Sequence, residues 1–106
     1  MKRILFVCTQ NRVRSLTAEH LFQGRNGWQT ASAGISAAAR VELTEDLLRW
    51  ADLVVFMEQS HQDYTTEVFA EVMQRKPGVC LNVQYIYYYD EPELKAALEK
   101  AMQPFV

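Results

Sequence analysis

The sequence predicts a single α/β domain, a three-layer α/β/α sandwich around a four-stranded parallel sheet. Two continuously apolar runs, at residues 4–7 and 53–57, are typical of strands that are buried on both faces. Candidate helices separate the four candidate strands, and this alternation favours parallel strands over hairpins. No repeat, low-complexity tract or linker interrupts the 106 residues, so we expect residues 1–106 to form one domain.

The first half of the chain predicts two strands, each followed by a helix. The strands are expected at 4–7 and 28–33, and the helices at 16–23 and 43–50. Gly24 and the pair Asn26-Gly27 end the first helix, and Gly34 closes the second strand. Thr44 is a plausible N-cap for the second helix.

The second half repeats this alternation, with strands at 53–57 and 79–83 and a helix at 59–75 between them. Pro77-Gly78 supplies the turn before the fourth strand, and Pro92 suits the first turn of a final helix. Apolar residues at helical spacing predict the buried side of these two helices. They are Tyr64, Val68, Phe69 and Val72 in the first helix, and Leu94, Ala97, Leu98 and Ala101 in the second.

Composition excludes several classes of function. Eleven Lys and Arg against thirteen Asp and Glu give a net charge of −2, which offers no reason to expect nucleic acid or a membrane as partner. No apolar run approaches the ~20 residues that span a bilayer. Cys8 and Cys80 lie far apart, so neither a disulfide framework nor a metal site is expected. A reducing cytoplasm is the simplest setting.

The loop between Cys8 and Arg14 is the strongest candidate site, because parallel sheets bind ligands beyond the carboxyl ends of their strands. A loop that runs into a helix N-terminus offers backbone N–H groups and a positive dipole end to an oxyanion such as phosphate. Arg14 adds a planar fork of donors. Cys8 would lie beneath the anion as a thiolate nucleophile, to which Ser15 can donate, and Asn11 tolerates a left-handed backbone.

The stretch CTQNRVRS, residues 8–15, resembles the Cys-x5-Arg-Ser/Thr loop of protein tyrosine phosphatases. Its place directly after the first strand is typical of the low-molecular-weight branch. The stretches LTAE (16–19), SAG (32–34) and ADLVVFM (51–57) are similar to further motifs of that family, in the family's order.

This resemblance implies a phosphatase-I-like fold and a compact bacterial-type member. It also implies hydrolysis of a phosphomonoester, with phosphotyrosine foremost, through a phosphocysteine intermediate and without a metal or other cofactor. The catalytic residues of the loop would then be Cys8, Arg14 and Ser15. Its substrate-binding residues would be Thr9, Gln10, Asn11, Arg12 and Val13. Val13 stands where a second cysteine protects the first in some family enzymes.

The general acid is the main departure from the family pattern. Low-molecular-weight phosphatases carry it in an Asp-Pro loop after the fourth strand, where this chain has NVQYIYYYDEPEL, residues 82–94. Asp90 and Glu91 are the nearest carboxylates and our candidates for the acid. An acidic pair before Pro92 also suits a helix N-terminus, so capping and proton transfer both stay open.

The neighbouring tyrosines have two interpretations as well. Tyr85 and Tyr87 could line a pocket for an aryl phosphate, or they could pack against the edge of the sheet. His20 and His61 are interpreted as surface or packing residues, and Cys80 as a core residue.

The expected partner is a phosphorylated protein or a small phosphate ester, and inorganic phosphate or sulfate could occupy the loop. The main alternative is a domain that binds phosphate or phosphotyrosine without useful turnover, because its acid is altered. Two relatives of the same architecture fit less well. Sugar-phosphotransferase B subunits lack an arginine at the place of Arg14. Arsenate reductases of this fold use further cysteines in relay, and this chain has only Cys80 besides Cys8.

Overall fold

The computed structural model describes residues 2–106 and confirms the predicted α/β fold with a four-stranded parallel sheet. The order of strands across the sheet is β2-β1-β3-β4, and every neighbouring pair is parallel. The strands are β1 (Arg3–Cys8), β2 (Gln29–Gly34), β3 (Leu53–Phe56) and β4 (Gly78–Cys80).

Helices cover both faces of the sheet. The helices are α1 (Arg14–Phe22), α2 (Glu45–Trp50), α3 (Gln59–Val68), α4 (Ala70–Met73) and α5 (Pro92–Met102), with short 3₁₀ helices at Arg25–Gly27 and Gln103–Phe105. Alternate residues of β1 supply the two cores. Ile4 and Phe6 pack with side chains of α1 and α5, whereas Leu5 and Val7 pack with side chains of α2 and α4. The central strand is therefore buried on both faces, as its apolar run predicts.

Several local signals act as the sequence predicts. The hydroxyl of Thr44 accepts the backbone N–H of Leu47 at 3.2 Å, which caps α2. Pro92 is the first residue of α5, and Leu94 and Leu98 are fully buried on its inner side. Helix α1 begins at Arg14, two residues before the predicted start, so Arg14 and Ser15 belong to its first turn.

The helix predicted over 59–75 is wrong as a single element, because the chain breaks between α3 and α4 at Phe69, with φ −117° and ψ 43°. Its predicted buried side is wrong in part: Tyr64 and Val68 are exposed, and the buried residues of α3 are His61 and Thr65. Hydrophobic spacing missed this side because both of its residues are polar. The Thr65 hydroxyl is satisfied by donating to the His61 backbone carbonyl at 2.8 Å.

The fourth strand is shorter than predicted, although backbone pairing with β3 continues beyond it. The Leu81 N–H donates to the carbonyl of Phe56, the last residue of β3, and the Val83 N–H donates to the carbonyl of Met57. Cys80 is half-buried rather than a core residue, because β4 is the edge of the sheet. Within residues 2–106, no helix combines the length and the apolar composition needed to cross a membrane.

Gly34, at the end of β2, allows the segment after β1 to pass close to its backbone. A Cβ atom at this position would lie 2.5 Å from the Thr9 carbonyl oxygen, 2.7 Å from the Ala39 Cβ and 2.9 Å from the Gln10 carbonyl carbon. Two of these atoms belong to backbone that cannot easily move, so only glycine fits.

We expect Gly34→Ala to lower the free energy of unfolding by about 1–3 kcal/mol, because the added methyl group collides with backbone. Urea unfolding followed by circular dichroism measures this. Gly78→Ala in β4 is the matched control, since the nearest atoms to its Cβ are side-chain atoms at 3.2 Å or more that can give way. Equal losses for the two variants would contradict this explanation of Gly34.

Candidate active site

The loop between β1 and α1 lies at the carboxyl end of the sheet and is fastened to the segment after β2. Backbone N–H groups of Ile35, Ser36 and Arg40 donate to the carbonyl oxygens of Cys8, Thr9 and Gln10, each at 3.0 Å. These bonds use carbonyl oxygens of the loop and none of its N–H groups, which can therefore serve the Cys8 sulfur or a ligand.

Asn11 gives the loop its turn and orders the side chains below it. Its φ of 59° is left-handed, which asparagine tolerates better than most residues. Its Nδ2 donates to the Ser15 hydroxyl oxygen at 2.8 Å, and its backbone N–H donates to the Cys8 sulfur at 3.2 Å. Asn11 is fully buried, and its Oδ1 has no hydrogen-bond partner.

Cys8 and Ser15 are brought together beneath the loop. The Cys8 sulfur and the Ser15 hydroxyl oxygen lie 2.8 Å apart, and both residues are buried. Because the Ser15 oxygen already accepts from Asn11, its own proton is free to point at the sulfur. The sulfur thus faces two donors, which suits a nucleophile that carries negative charge. Ser15 does not cap α1, whose N-cap position is occupied by Val13.

Arg14 is a fully buried charge, hydrogen bonded on one side of its guanidinium and without a partner on the other. Its Nη1 donates to the Glu58 carboxylate at 2.6 Å and to the Val83 carbonyl at 2.8 Å, so both hydrogens of that nitrogen are used. Its Nε and Nη2 are buried and have no partner. These two nitrogens form one edge of the guanidinium, the edge that binds two oxygens of a phosphate.

Glu58 is a site residue that the sequence analysis missed. It follows β3, the neighbour of β1, and its place at the carboxyl end of a buried strand was the signal that could have found it. The hydrogen bond from Arg14 lowers the pKa of Glu58, although partial burial opposes this. Glu58 is therefore ionised at neutral pH and acts as the counter-ion of Arg14.

His61 is the second residue whose role the sequence did not show. Its Nδ1 accepts the backbone N–H of Glu58 at 3.1 Å, so its Nε2 carries the proton and donates to the Thr9 hydroxyl at 2.9 Å. Burial, aided by the charge of Arg14 and opposed by that of Glu58, lowers the pKa of His61 to about 4. A neutral histidine thus ties α3 to the loop.

The remaining predicted loop residues differ in exposure. Gln10 and Arg12 are exposed, and Arg12 donates through Nη2 to the Ala38 carbonyl at 3.2 Å. Val13 is half-buried and packs against the core on the α1 and α5 face. The structure therefore joins Cys8, Asn11 and Ser15 to one another and Thr9 and Arg14 to the start of α3, whereas Gln10, Arg12 and Val13 take no part in these side-chain bonds.

Asp90 and Glu91 lie at the start of α5 and are engaged locally. The Asp90 backbone, with φ 60°, donates to the Thr17 hydroxyl at 3.0 Å, and its carboxylate lies 3.6 Å from the Lys95 ammonium. The Glu91 carboxylate accepts the backbone N–H of Tyr88 at 2.9 Å. Among the residues described, neither carboxylate is hydrogen bonded to Cys8 or Arg14.

The predicted tyrosines separate into two environments. The Tyr85 ring is exposed and lies over the Arg14 guanidinium, with 4.8 Å between the guanidinium carbon and the ring centroid. Tyr87 is half-buried and packs against the core on the α1 and α5 face. The Tyr89 hydroxyl lies 2.7 Å from Nδ1 of His20 on α1. Of these three rings, that of Tyr85 lies against the guanidinium of the site described above.

The described part of the chain, residues 2–106, has no group of three or more His, Cys, Asp and Glu side chains placed to hold a metal ion. Among the same residues Cys8 and Cys80 are both free thiols.

Comparison with known families confirms the resemblance that the loop motif suggested. The model of the family described as low molecular weight phosphotyrosine protein phosphatase matches residues 3–45, which include β1, the loop, α1 and β2. No curated protein has a sequence that matches the chain significantly.

Solved structures of bacterial phosphatases share the fold over nearly the whole chain. The YwlE arginine phosphatase from Geobacillus stearothermophilus superposes with a TM-score of 0.68 at 25% identity, covering 95% of this chain and 86% of that one. SP-PTP, a low molecular weight protein tyrosine phosphatase from Streptococcus pyogenes, gives 0.77 at 13% identity, covering 100% and 94%. Vibrio vulnificus Wzb in complex with benzylphosphonate gives 0.72 at 22% identity, covering 97% and 95%.

The position of His61 predicts a fall in stability at mildly acidic pH. Its pKa of about 4 lies below the ordinary value of 6.5, so the unfolded chain binds a proton on this residue before the folded chain does. The contribution is complete above pH 6.5 and is lost as the pH falls toward 4. The difference corresponds to roughly 3 kcal/mol in the free energy of unfolding.

Urea unfolding at several pH values measures this fall, and we expect His61→Gln to flatten it. A further fall below about pH 4.5 should persist in this variant, because the lowered pKa of Glu58 contributes stability that is lost as that carboxylate is protonated. His20→Gln, on the exposed side of α1, is the control. A slope between pH 6.5 and 4.5 that is unchanged in His61→Gln would show that this histidine is not the group responsible.

Proposed function

We propose that this chain, which resembles the low molecular weight phosphotyrosine protein phosphatases, hydrolyses phosphomonoesters through a phosphocysteine intermediate on Cys8. The observation that carries the proposal is the open edge of Arg14, since its Nε and Nη2 are buried without a partner. Buried donors of this kind are rarely left unpaired, and a phosphoryl group would satisfy both.

The proposed first step is attack of the Cys8 sulfur on the phosphorus atom. Arg14 and the loop N–H groups hold the phosphoryl oxygens, and Ser15 and Asn11 hold the sulfur in place. The sulfur–phosphorus bond forms as the bond from phosphorus to the ester oxygen breaks. That oxygen leaves with a proton from a general acid, for which Asp90 and Glu91 are the candidates.

The proposed second step is hydrolysis of the phosphocysteine. Water attacks the phosphorus, the carboxylate that gave up its proton takes one from the water, and the sulfur leaves as a thiolate. Arg14 and the loop amides hold the phosphoryl group in both steps, so the proposed reaction needs no metal. Since Cys8 must stay a free thiol, we place the reaction in a reducing cytoplasm.

The proposed substrate is a phosphorylated protein, with phosphotyrosine foremost, or a small phosphate ester. Tyr85 lies beside Arg14 and is exposed, so an aryl group on the phosphate would meet an aromatic wall. Support comes from Wzb, which has been solved with benzylphosphonate in one species and with phosphate in another. Inorganic phosphate or sulfate would occupy the same place on Arg14.

A module that binds phosphate without turnover is the second candidate function. The observation that favours it is the engagement of both candidate acids, Asp90 with Lys95 and Glu91 with the Tyr88 backbone. A chain with an intact loop and no acid would bind the phosphoryl group, but the bond from phosphorus to the ester oxygen would break slowly because nothing protonates that oxygen.

Hydrolysis of p-nitrophenyl phosphate tests the loop. We expect Cys8→Ser to abolish turnover, and Arg14→Lys to lower kcat/KM by about a hundredfold or more, because lysine lacks the two-donor edge. Cys80→Ser is the matched control, since this second thiol lies on the edge strand and should retain wild-type kinetics. Turnover that survives Cys8→Ser would exclude the phosphocysteine mechanism.

The pH dependence of the same reaction tests the acid. We expect one of Asp90→Asn and Glu91→Gln to lower kcat by about a hundredfold and to remove the limb of the profile on which activity falls as the acid deprotonates. The other variant serves as its control and should keep that limb. Two variants with wild-type profiles would exclude both residues as the acid.

A further inference from the structure

We infer that the substrate of the proposed hydrolase carries additional negative charge next to its phosphoryl group, and that Arg12 and Arg40 bind this charge. The phosphorylated segment would then be acidic, with Asp or Glu beside the phosphorylated residue. This inference rests on the proposed function and extends it to a class of substrate.

The two arginines differ from most others in the chain by their lack of a counter-ion. Among residues 2–106, neither Arg12 nor Arg40 lies within 4 Å of a carboxylate oxygen, although Glu42 is close to Arg40 in sequence. Four other arginines do have such a partner: Arg3, Arg14, Arg25 and Arg49. Since the chain as a whole is acidic, two uncompensated cations at the rim of one site form a local field of the opposite sign.

Backbone carbonyls hold both side chains at that rim. The Arg12 Nη2 donates to the Ala38 carbonyl at 3.2 Å, and the Arg40 Nε donates to the Asn11 carbonyl, also at 3.2 Å. Each side chain thus links the loop between β1 and α1 to the turn after β2. Each guanidinium keeps further N–H groups for a ligand, and its restricted position lowers the entropy lost on binding.

The stretch of chain around Tyr85, on the opposite side of the site, is uncharged. Tyr85 follows β4, whereas the turn that holds Arg40 follows β2, and these strands lie on opposite sides of β1 in the sheet. The exposed residues there are Gln84, Tyr85 and Ile86, which are uncharged. The site therefore has a cationic wall and an aromatic wall, and an acidic flank on the substrate fits only the first.

Three phosphotyrosyl peptides of equal length, with Glu, Gln or Lys flanking the phosphotyrosine, test the inference. The readout is the ratio of kcat/KM for the Glu peptide to that for the Gln peptide, which cancels changes in the chemical step. We expect a ratio of about tenfold in the wild type at low salt, from about threefold per exposed charge, and a smaller ratio at high salt. The Lys peptide should be the poorest substrate.

Double variants of Arg12 and Arg40 test whether these two residues cause the preference for the Glu peptide. Arg12→Gln with Arg40→Gln should bring the ratio close to one, whereas Arg12→Lys with Arg40→Lys should keep most of it, because the charges remain although the geometry changes. Arg75→Gln is the control, since this arginine is exposed and forms no ion pair within the described residues. A wild-type ratio near one, or a ratio that the Gln pair leaves unchanged, overturns the inference.

Binding separates this inference from the proposed function. If the wild type hydrolyses neither the peptides nor p-nitrophenyl phosphate, the hydrolase proposal fails, and calorimetric titration with the same three peptides decides the inference alone. Tighter binding of the Glu peptide that depends on Arg12 and Arg40 would support it. Equal affinities, or no binding of any peptide, would overturn it.

Discussion

The buried guanidinium of Arg14 is the interaction on which the rest of the site depends. Burying a charge costs several kcal/mol unless it is paired, and this charge is buried almost completely. The Glu58 carboxylate and the Val83 carbonyl accept both hydrogens of one guanidinium nitrogen, and the Tyr85 ring lies over the guanidinium face. What remains is a two-donor edge with no partner in the chain, so the fold carries a place whose chemistry matches an oxyanion.

The strand order makes this arrangement possible. With β1 and β3 adjacent at the centre of the sheet, the loop that starts at Cys8 meets the residues that follow β3, Glu58 and His61. On the other side, β2 ends in Gly34, and the loop passes over it at a distance that a side chain would forbid. Three adjacent strands therefore position one loop, and the neutral His61 ties this loop to α3 through the Thr9 hydroxyl.

Prediction from sequence succeeded where a residue type has one strong local preference. Continuous apolar runs gave the buried strands, Thr44 and Pro92 gave helix starts, and the left-handed Asn11 was expected in the loop. It failed where long-range contacts decide. Glu58 and His61 are polar residues on an unremarkable helix start, and only the position of β3 beside β1 brings them to the site. Neither a proline nor a glycine marks the break at Phe69, so periodicity predicted one helix.

Trapping a phosphocysteine on Cys8 distinguishes hydrolysis through this residue from binding alone. The wild type is mixed with an aryl phosphate, quenched within one turnover, digested and examined by mass spectrometry for phosphoryl groups. We predict one phosphoryl group on the peptide that contains Cys8, formed before phosphate is released and missing from Arg14→Lys under the same conditions. Release of phosphate with no phosphorylated Cys8, or binding of the ester with neither event, would contradict a phosphocysteine mechanism.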